Sequence, residues 1–253
     1  MEMCWLTTAK CNQHCNYCDR FRESGGLSTA DCLMILDKLI DYRVKKLTFG
    51  GGESLMLECF DDIVKKGALN GIKFKLGTNG KLIPQKIDLL EYLDEITISI
   101  DSVDPEINAE LGREADHYDN VCRALDAIQK RNPDFRININ TVVTKINIDC
   151  VEDMTEFIEH WSIKQWRVFR FCPLRGTAVE NRKLFEITSE QFGKVRDALK
   201  RLKLNCAVQF RDYVDMEKGY LLITPSGKLC VSRDLKDIVV GDMLRDDLRT
   251  HFA

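Results

Sequence analysis

Short β-branched or apolar runs alternate along the chain with longer stretches whose apolar residues recur every three or four positions. The runs at 4–8, 45–49, 72–76, 95–100, 135–143 and 165–171 read as strands. The spacing predicts helices over 28–42, 58–66, 85–92, 117–131 and 150–160, with one more over 189–202 after the last strand. Val121, Leu125 and Ile128 fall on one helical face, as do Phe192, Val195, Leu199 and Leu202. Ser28 heads the first helix, and Thr188 followed three positions later by Gln191 has the form of a capping box. Strands alternating with helices are parallel and joined by right-handed crossovers, either as an open doubly wound sheet or as a barrel. Beyond about residue 204 the pattern changes. Residues 220–223 and 228–231 flank a turn containing Pro225 and Gly227 and predict a β-hairpin, followed by a short charged tail. Residues 1–203 therefore read as a core domain and 204–253 as a C-terminal extension.

Composition narrows the classes. The 253 residues suffice for one substantial core, and 44% hydrophobic with 30% charged residues is ordinary for a globular chain. A net charge of −3 gives no positive field to draw in bulk nucleic acid, although a local basic site for one small anion stays open. No basic segment followed by an apolar one opens the chain, and no 18-residue apolar window occurs, so a cytoplasmic protein without a membrane partner is expected. Eleven cysteines, an odd number, argue for thiols or metal ligands rather than a disulfide framework. Cys32, Cys122 and Cys172, with Trp166 and Phe169, stand in apolar surroundings and are expected in the core.

Cys11, Cys15 and Cys18 form a CxxxCxxC triplet in the polar loop after the first strand. Three thiolates this close can grip one metal centre and leave a coordination position open. An iron–sulfur cluster fits that description, and zinc with His14 as fourth ligand is the competing one. At the end of the second strand stand Gly51, Gly52 and Glu53. Glycines there allow close backbone approach to a ligand, and the carboxylate can accept a bond from an ammonium group.

In this order on successive strands, the two motifs resemble the radical SAM superfamily, over residues 3–200. The resemblance implies an α/β fold, a partial (βα)6 TIM-type barrel with a short C-terminal β-hairpin extension. It also implies a [4Fe–4S] cluster on Cys11, Cys15 and Cys18. S-adenosylmethionine (SAM) would present its amino group to Gly51, Gly52 and Glu53 and its adenine to Tyr17. The activity implied is reductive cleavage of SAM to a 5′-deoxyadenosyl radical that abstracts hydrogen from a substrate. An external one-electron donor such as a flavodoxin or ferredoxin follows as a partner.

Further segments are similar to the viperins, antiviral enzymes that dehydrate CTP: Lys46 to Phe49, Thr78 to Gly80, Ser99 to Ser102, Gly112 with Arg113, and Ile139 to Val143. That likeness implies that Ser99, Arg113 and Asn140 surround the ribose and carboxylate side of SAM. Lys46, Thr48, Lys145 and Arg167 would face a small anionic substrate of nucleotide type, and Tyr220 would donate a proton. The chain departs from the family at Asn138 and Gln165, where viperins carry a lysine and an arginine of the triphosphate cluster, which speaks against CTP. Two other readings are carried forward. A peptide- or protein-modifying maturase would share the radical chemistry, but no cysteine follows Cys230 to build an auxiliary cluster. A zinc-bound or metal-free interaction protein would use the same scaffold without it.

Overall fold

The structure is a computed structural model that describes residues 2–23, 26–216 and 220–247. Ten strands form one sheet in the order β10-β9-β8-β1-β2-β3-β4-β5-β6-β7. The six expected strands are β1 (Glu2–Thr8), β2 (Lys46–Gly51), β3 (Lys73–Thr78), β4 (Glu95–Ser99), β5 (Ile137–Val143) and β6 (Ile163–Arg170), each parallel to its neighbour. The helices are α1 (Thr29–Asp41), α2 (Phe60–Leu69), α3 (Pro105–Glu110), α4 (His117–Arg131), α5 (Met154–His160), α6 (Gly176–Glu180), α7 (Arg182–Phe185), α8 (Ser189–Leu199) and the single turn α9 (Tyr213–Met216) among the described residues. Ser28 and Thr188 close capping boxes with Asp31 and Gln191. The stretch expected as a helix over 85–92 is a 3-10 segment, Pro84–Tyr92, broken at Lys86. Proline fixes its first residue, and only Leu89 and Leu90 are buried from it.

The extension is divided between the two edges of the sheet. Strand β7 (Ala207–Arg211) pairs in parallel with β6, and β8 (Tyr220–Ile223) pairs in parallel with β1. The expected hairpin is β8 with β9 (Lys228–Arg233), and a further antiparallel strand, β10 (Lys236–Asp242), replaces the expected charged tail. Ile238 and Val239 are exposed on this edge strand, so no alternation of buried and polar positions announced it. The edges β7 and β10 do not pair with each other in this order, and the barrel is partial.

Side chains alternate across the parallel strands. Trp5, Phe49, Phe74, Ile98, Ile139 and Trp166 point to the helices and join Leu36, Phe60, Val121, Leu125 and Ile128 in one core. Phe49 is the hub: it stacks on Phe74 at 5.0 Å and meets Phe60 edge-on at 4.9 Å. Its truncation to alanine is expected to cost about 3–5 kcal/mol, as for large aromatic residues in close-packed cores. The other face of each strand lines the interior, which is why these strands alternate instead of running apolar throughout.

Candidate active site

At the C-terminal ends of the strands lies a cavity of about 450 Å³. Cys11, Cys15, Cys18, Tyr17, Gly51, Gly52, Glu53, Ser99, Arg113 and Asn140 all line it. Glu53 is fully buried, and its carboxylate accepts from Thr78 Oγ1 at 2.9 Å, Asn79 N at 2.9 Å and Leu55 N at 3.3 Å. Burial pushes its pKa up, and these donors oppose the shift.

The glycines also have a structural purpose within the chain. Gly52 N donates to Thr8 O at 2.7 Å and Glu53 N to Lys10 O at 2.9 Å, so the turn after β2 is tied to the chain entering the cysteine loop. A Cβ at Gly52 would stand 1.9 Å from Lys10 O, and one at Gly51, where φ is +113°, 2.7 Å from Thr8 O. Both residues are glycine because backbone, before any ligand, occupies that space.

The cysteine loop is held from three sides. Asn16 N donates to Leu111 O, Ala178 N to Cys18 O, and Arg175 to the Asp19 carboxylate. Within it, Gln13 N donates to Cys11 Sγ at 3.4 Å. Burial pushes the Cys18 thiol up to about 12, so the free thiol is protonated at neutral pH. Among the described residues no three His, Cys, Asp or Glu side chains gather closely enough to hold a single metal ion. His14, the fourth ligand of the zinc reading, is exposed and lies outside the cavity lining.

A buried polar chain joins this loop to β4. Asp101 accepts from Arg113 Nε at 2.8 Å and from the Tyr17 hydroxyl, while its other oxygen accepts from Val142 N at 2.7 Å. Arg113 NH1 donates to Gln13 Oε1 at 2.9 Å, and Gln13 Nε2 lies 2.8 Å from His117 Nδ1. His117 Nε2 is 3.0 Å from Ser99 O. A carbonyl only accepts, so the proton sits on Nε2, and Nδ1 takes the hydrogen of Gln13. The imidazole is neutral, its pKa lowered to about 2 by burial and then by the Arg113 charge. Asp101, Gln13, His117 and Thr78 carried no assigned role in the sequence. Their signal was position alone: Thr78 ends β3, Asp101 lies just past β4, Gln13 sits inside the cysteine loop and His117 opens α4.

The residues expected to face substrate are dispersed. Lys46, Thr48 and Arg167 share the interior face but lie outside the cavity lining, toward the strand N-termini. Lys145 is elsewhere: it follows β5, and its Nζ donates to Lys183 O at 2.9 Å, so it is not an interior residue. Tyr220 is half-exposed on β8, two residues before the register partner of Cys4. Cys172 and Phe169, expected in the core, line the cavity, whereas Cys32 and Trp166 are buried as expected. Asn140 places a buried Oδ1 without a partner on the cavity wall.

A model of the Radical SAM superfamily matches residues 5–158, more than half of the chain. The chain belongs to the radical SAM superfamily. Radical SAM proteins use a [4Fe–4S] cluster and SAM, and membership makes this chain an enzyme. It is 28% identical over 232 residues to an S-adenosylmethionine-dependent nucleotide dehydratase of Flammeovirga pacifica, covering 86% of this chain and 78% of that one. A protein of the same description from Selenomonas ruminantium is 28% identical over 261 residues, covering 97% and 91%. The fold matches Streptococcus suis SuiB bound to S-adenosylmethionine with a TM-score of 0.77 at 16% identity. All of this chain is covered there, spanning 65% of SuiB. The residues present fit the two cofactors. Three thiols share the cavity lining with the buried Glu53 carboxylate, an acceptor suited to an ammonium, and the orphan Oδ1 of Asn140 can accept from a ligand. Among the described residues no helix is long and apolar enough to cross a membrane.

Proposed function

We propose that this radical SAM enzyme acts on a small anionic substrate of nucleotide type, as a viperin-like dehydratase, in the cytoplasm and with a flavodoxin or ferredoxin as electron donor. The observation that carries the reading is the single cavity shared by the three cysteines, Glu53 and Arg113, in a chain similar along most of its length to nucleotide dehydratases. Cys11, Cys15 and Cys18 would hold the cluster. Glu53 would receive the amino group of SAM, with Tyr17, Ser99, Arg113 and Asn140 around the nucleoside and carboxylate. The cofactors supply, when bound, the electron and the hydrogen-abstracting radical.

The chain's own part is orientation and exclusion of water. Asp101 fixes both Tyr17 and Arg113, so two walls of the cavity are set by one carboxylate. Phe169, Phe171 and Val142 make part of the remaining wall apolar and keep competing hydrogen donors out. Lys46, Thr48 and Arg167 would bind substrate deeper in the barrel, and Tyr220 would supply a proton from β8. Residues 1–203 form the catalytic core in this reading and 204–253 its extension.

Anaerobic reconstitution should give about four irons per chain. SAM cleavage to 5′-deoxyadenosine should then rise sharply with at least one nucleotide. A rate that stays flat across nucleotides but rises with a peptide would move the chain to the maturase class.

A further inference from the structure

Asn138 is fully buried on β5, and neither its Oδ1 nor its Nδ2 has a partner. It stands in register with Thr97 of β4 and Gln165 of β6, two positions before the cavity-lining Asn140, and so points to the interior. Arg167 donates Nε to Gln165 Oε1 at 2.8 Å and NH1 to Thr97 Oγ1 at 3.2 Å. The guanidinium therefore bonds to residues of β6 and β4 that are the register partners of Asn138 on either side of β5. A buried amide with nothing to bond is unfavourable, so the arrangement gains when the arginine lifts and a partner takes its place.

The charges around this floor are mixed. Glu2 pairs with Lys46 at 4.0 Å and Lys75 at 3.8 Å, and the buried Glu95 pairs with Arg136 at 2.8 Å and Arg167 at 3.3 Å. A polyanion laid here would meet two carboxylates among its cations. Of these cations only Arg167, 21% exposed, is largely withdrawn from solvent, and it stands beside the buried Glu95, so the floor offers one guanidinium next to one carboxylate, which suits a single phosphate rather than a run of three.

We infer that Asn138 and Arg167 form a substrate-selecting floor for a nucleoside monophosphate. Arg167 swings off Thr97, Gln165 and Glu95 to take the single phosphate, Arg136 stays on Glu95, and the Asn138 amide pairs with a neutral donor–acceptor group of the same molecule. The inference rests on the nucleotide reading above and narrows it.

The test is equilibrium dialysis of the reconstituted enzyme, with SAM, against the mono-, di- and triphosphates of cytidine, uridine, adenosine and guanosine. For at least one base the monophosphate binds about tenfold or more tighter than the triphosphate, and Asn138→Lys reverses that order. Asn138→Leu removes an unsatisfied amide, so it keeps or raises the melting temperature while weakening the monophosphate about tenfold. A triphosphate preferred by the unaltered protein overturns the inference, as does unchanged affinity or a lowered melting temperature in Asn138→Leu, and the nucleotide reading then survives. If no nucleotide of any charge binds, that reading falls and this inference with it.

Discussion

Arg113 sets Nε and NH2 on one oxygen of Asp101, at 2.8 and 2.6 Å, with both side chains almost wholly withdrawn from solvent. Breaking such a pair strands a buried charge. Asp101→Asn is expected to cost about 3–5 kcal/mol, a fall in melting temperature of roughly 6–20 °C for a chain this size. Adding Arg113→Gln should recover part of that loss, because the stranded guanidinium goes with it. Calorimetry of the two singles and the double decides the matter, and a double that simply sums the singles removes the pair as the source.

The turn after β2 gives a graded prediction. Gly52→Ala and Gly51→Ala drive a Cβ into the backbone at Lys10 and Thr8, whereas a Cβ at Gly50 meets only Leu6 Cδ2 at 3.4 Å. Iron and sulfide analysis after reconstitution should find the first two depleted and Gly50→Ala fully loaded. Equal loading of all three would mean that the cysteine loop does not depend on its backbone bonds to Gly52 and Glu53.

His117 makes acid sensitivity measurable. Its native pKa is near 2 and its unfolded value near 6.5, so below pH 6.5 the unfolded chain binds a proton that the folded chain refuses. The stability it supports is complete above pH 6.5 and is lost as the pH falls from there toward 2, with a slope approaching about 1.4 kcal/mol per pH unit. Urea unfolding between pH 4.5 and 7 should give a steeper decline for the native chain than for His117→Asn. Parallel curves would show that the imidazole is not held neutral.

The parallel core was legible because each βα unit repeats the same contrast, an apolar face toward the helices and a polar face toward the interior. Trp5 beside Cys4 and Phe49 beside Thr48 carry that contrast in adjacent letters. Strand β10 was not, since an edge strand with Ile238 and Val239 in solvent buries too little to leave a period. In the site, Cys11, Cys15, Cys18 and Glu53 were visible because their chemistry is rare at that spacing. Asp101, Gln13 and His117 were not, because their roles arise from contacts across 12 to 104 residues of sequence. The surroundings of Lys145 were not legible for the same reason: its ammonium donates to the carbonyl of Lys183, 38 residues along the chain.

In the proposed arrangement, with the SAM amino group on Glu53, SAM affinity depends on pH. The carboxylate must be ionised to pair with an ammonium, and burial holds its pKa above the usual 4.5. As pH falls, protonation removes the acceptor, so affinity declines on the acid side and begins to do so at a higher pH than an ordinary glutamate would dictate. Thr78 opposes that shift by donating to both carboxylate oxygens, at 3.0 and 2.9 Å. Thr78→Val should therefore move the decline to higher pH still, while Glu53→Gln weakens SAM about tenfold or more and flattens the profile. Equilibrium dialysis of labelled SAM between pH 5 and 8.5 reads all three proteins. Superimposable profiles for the native chain and Thr78→Val would show that the threonine hydroxyl does not govern the ionisation of Glu53.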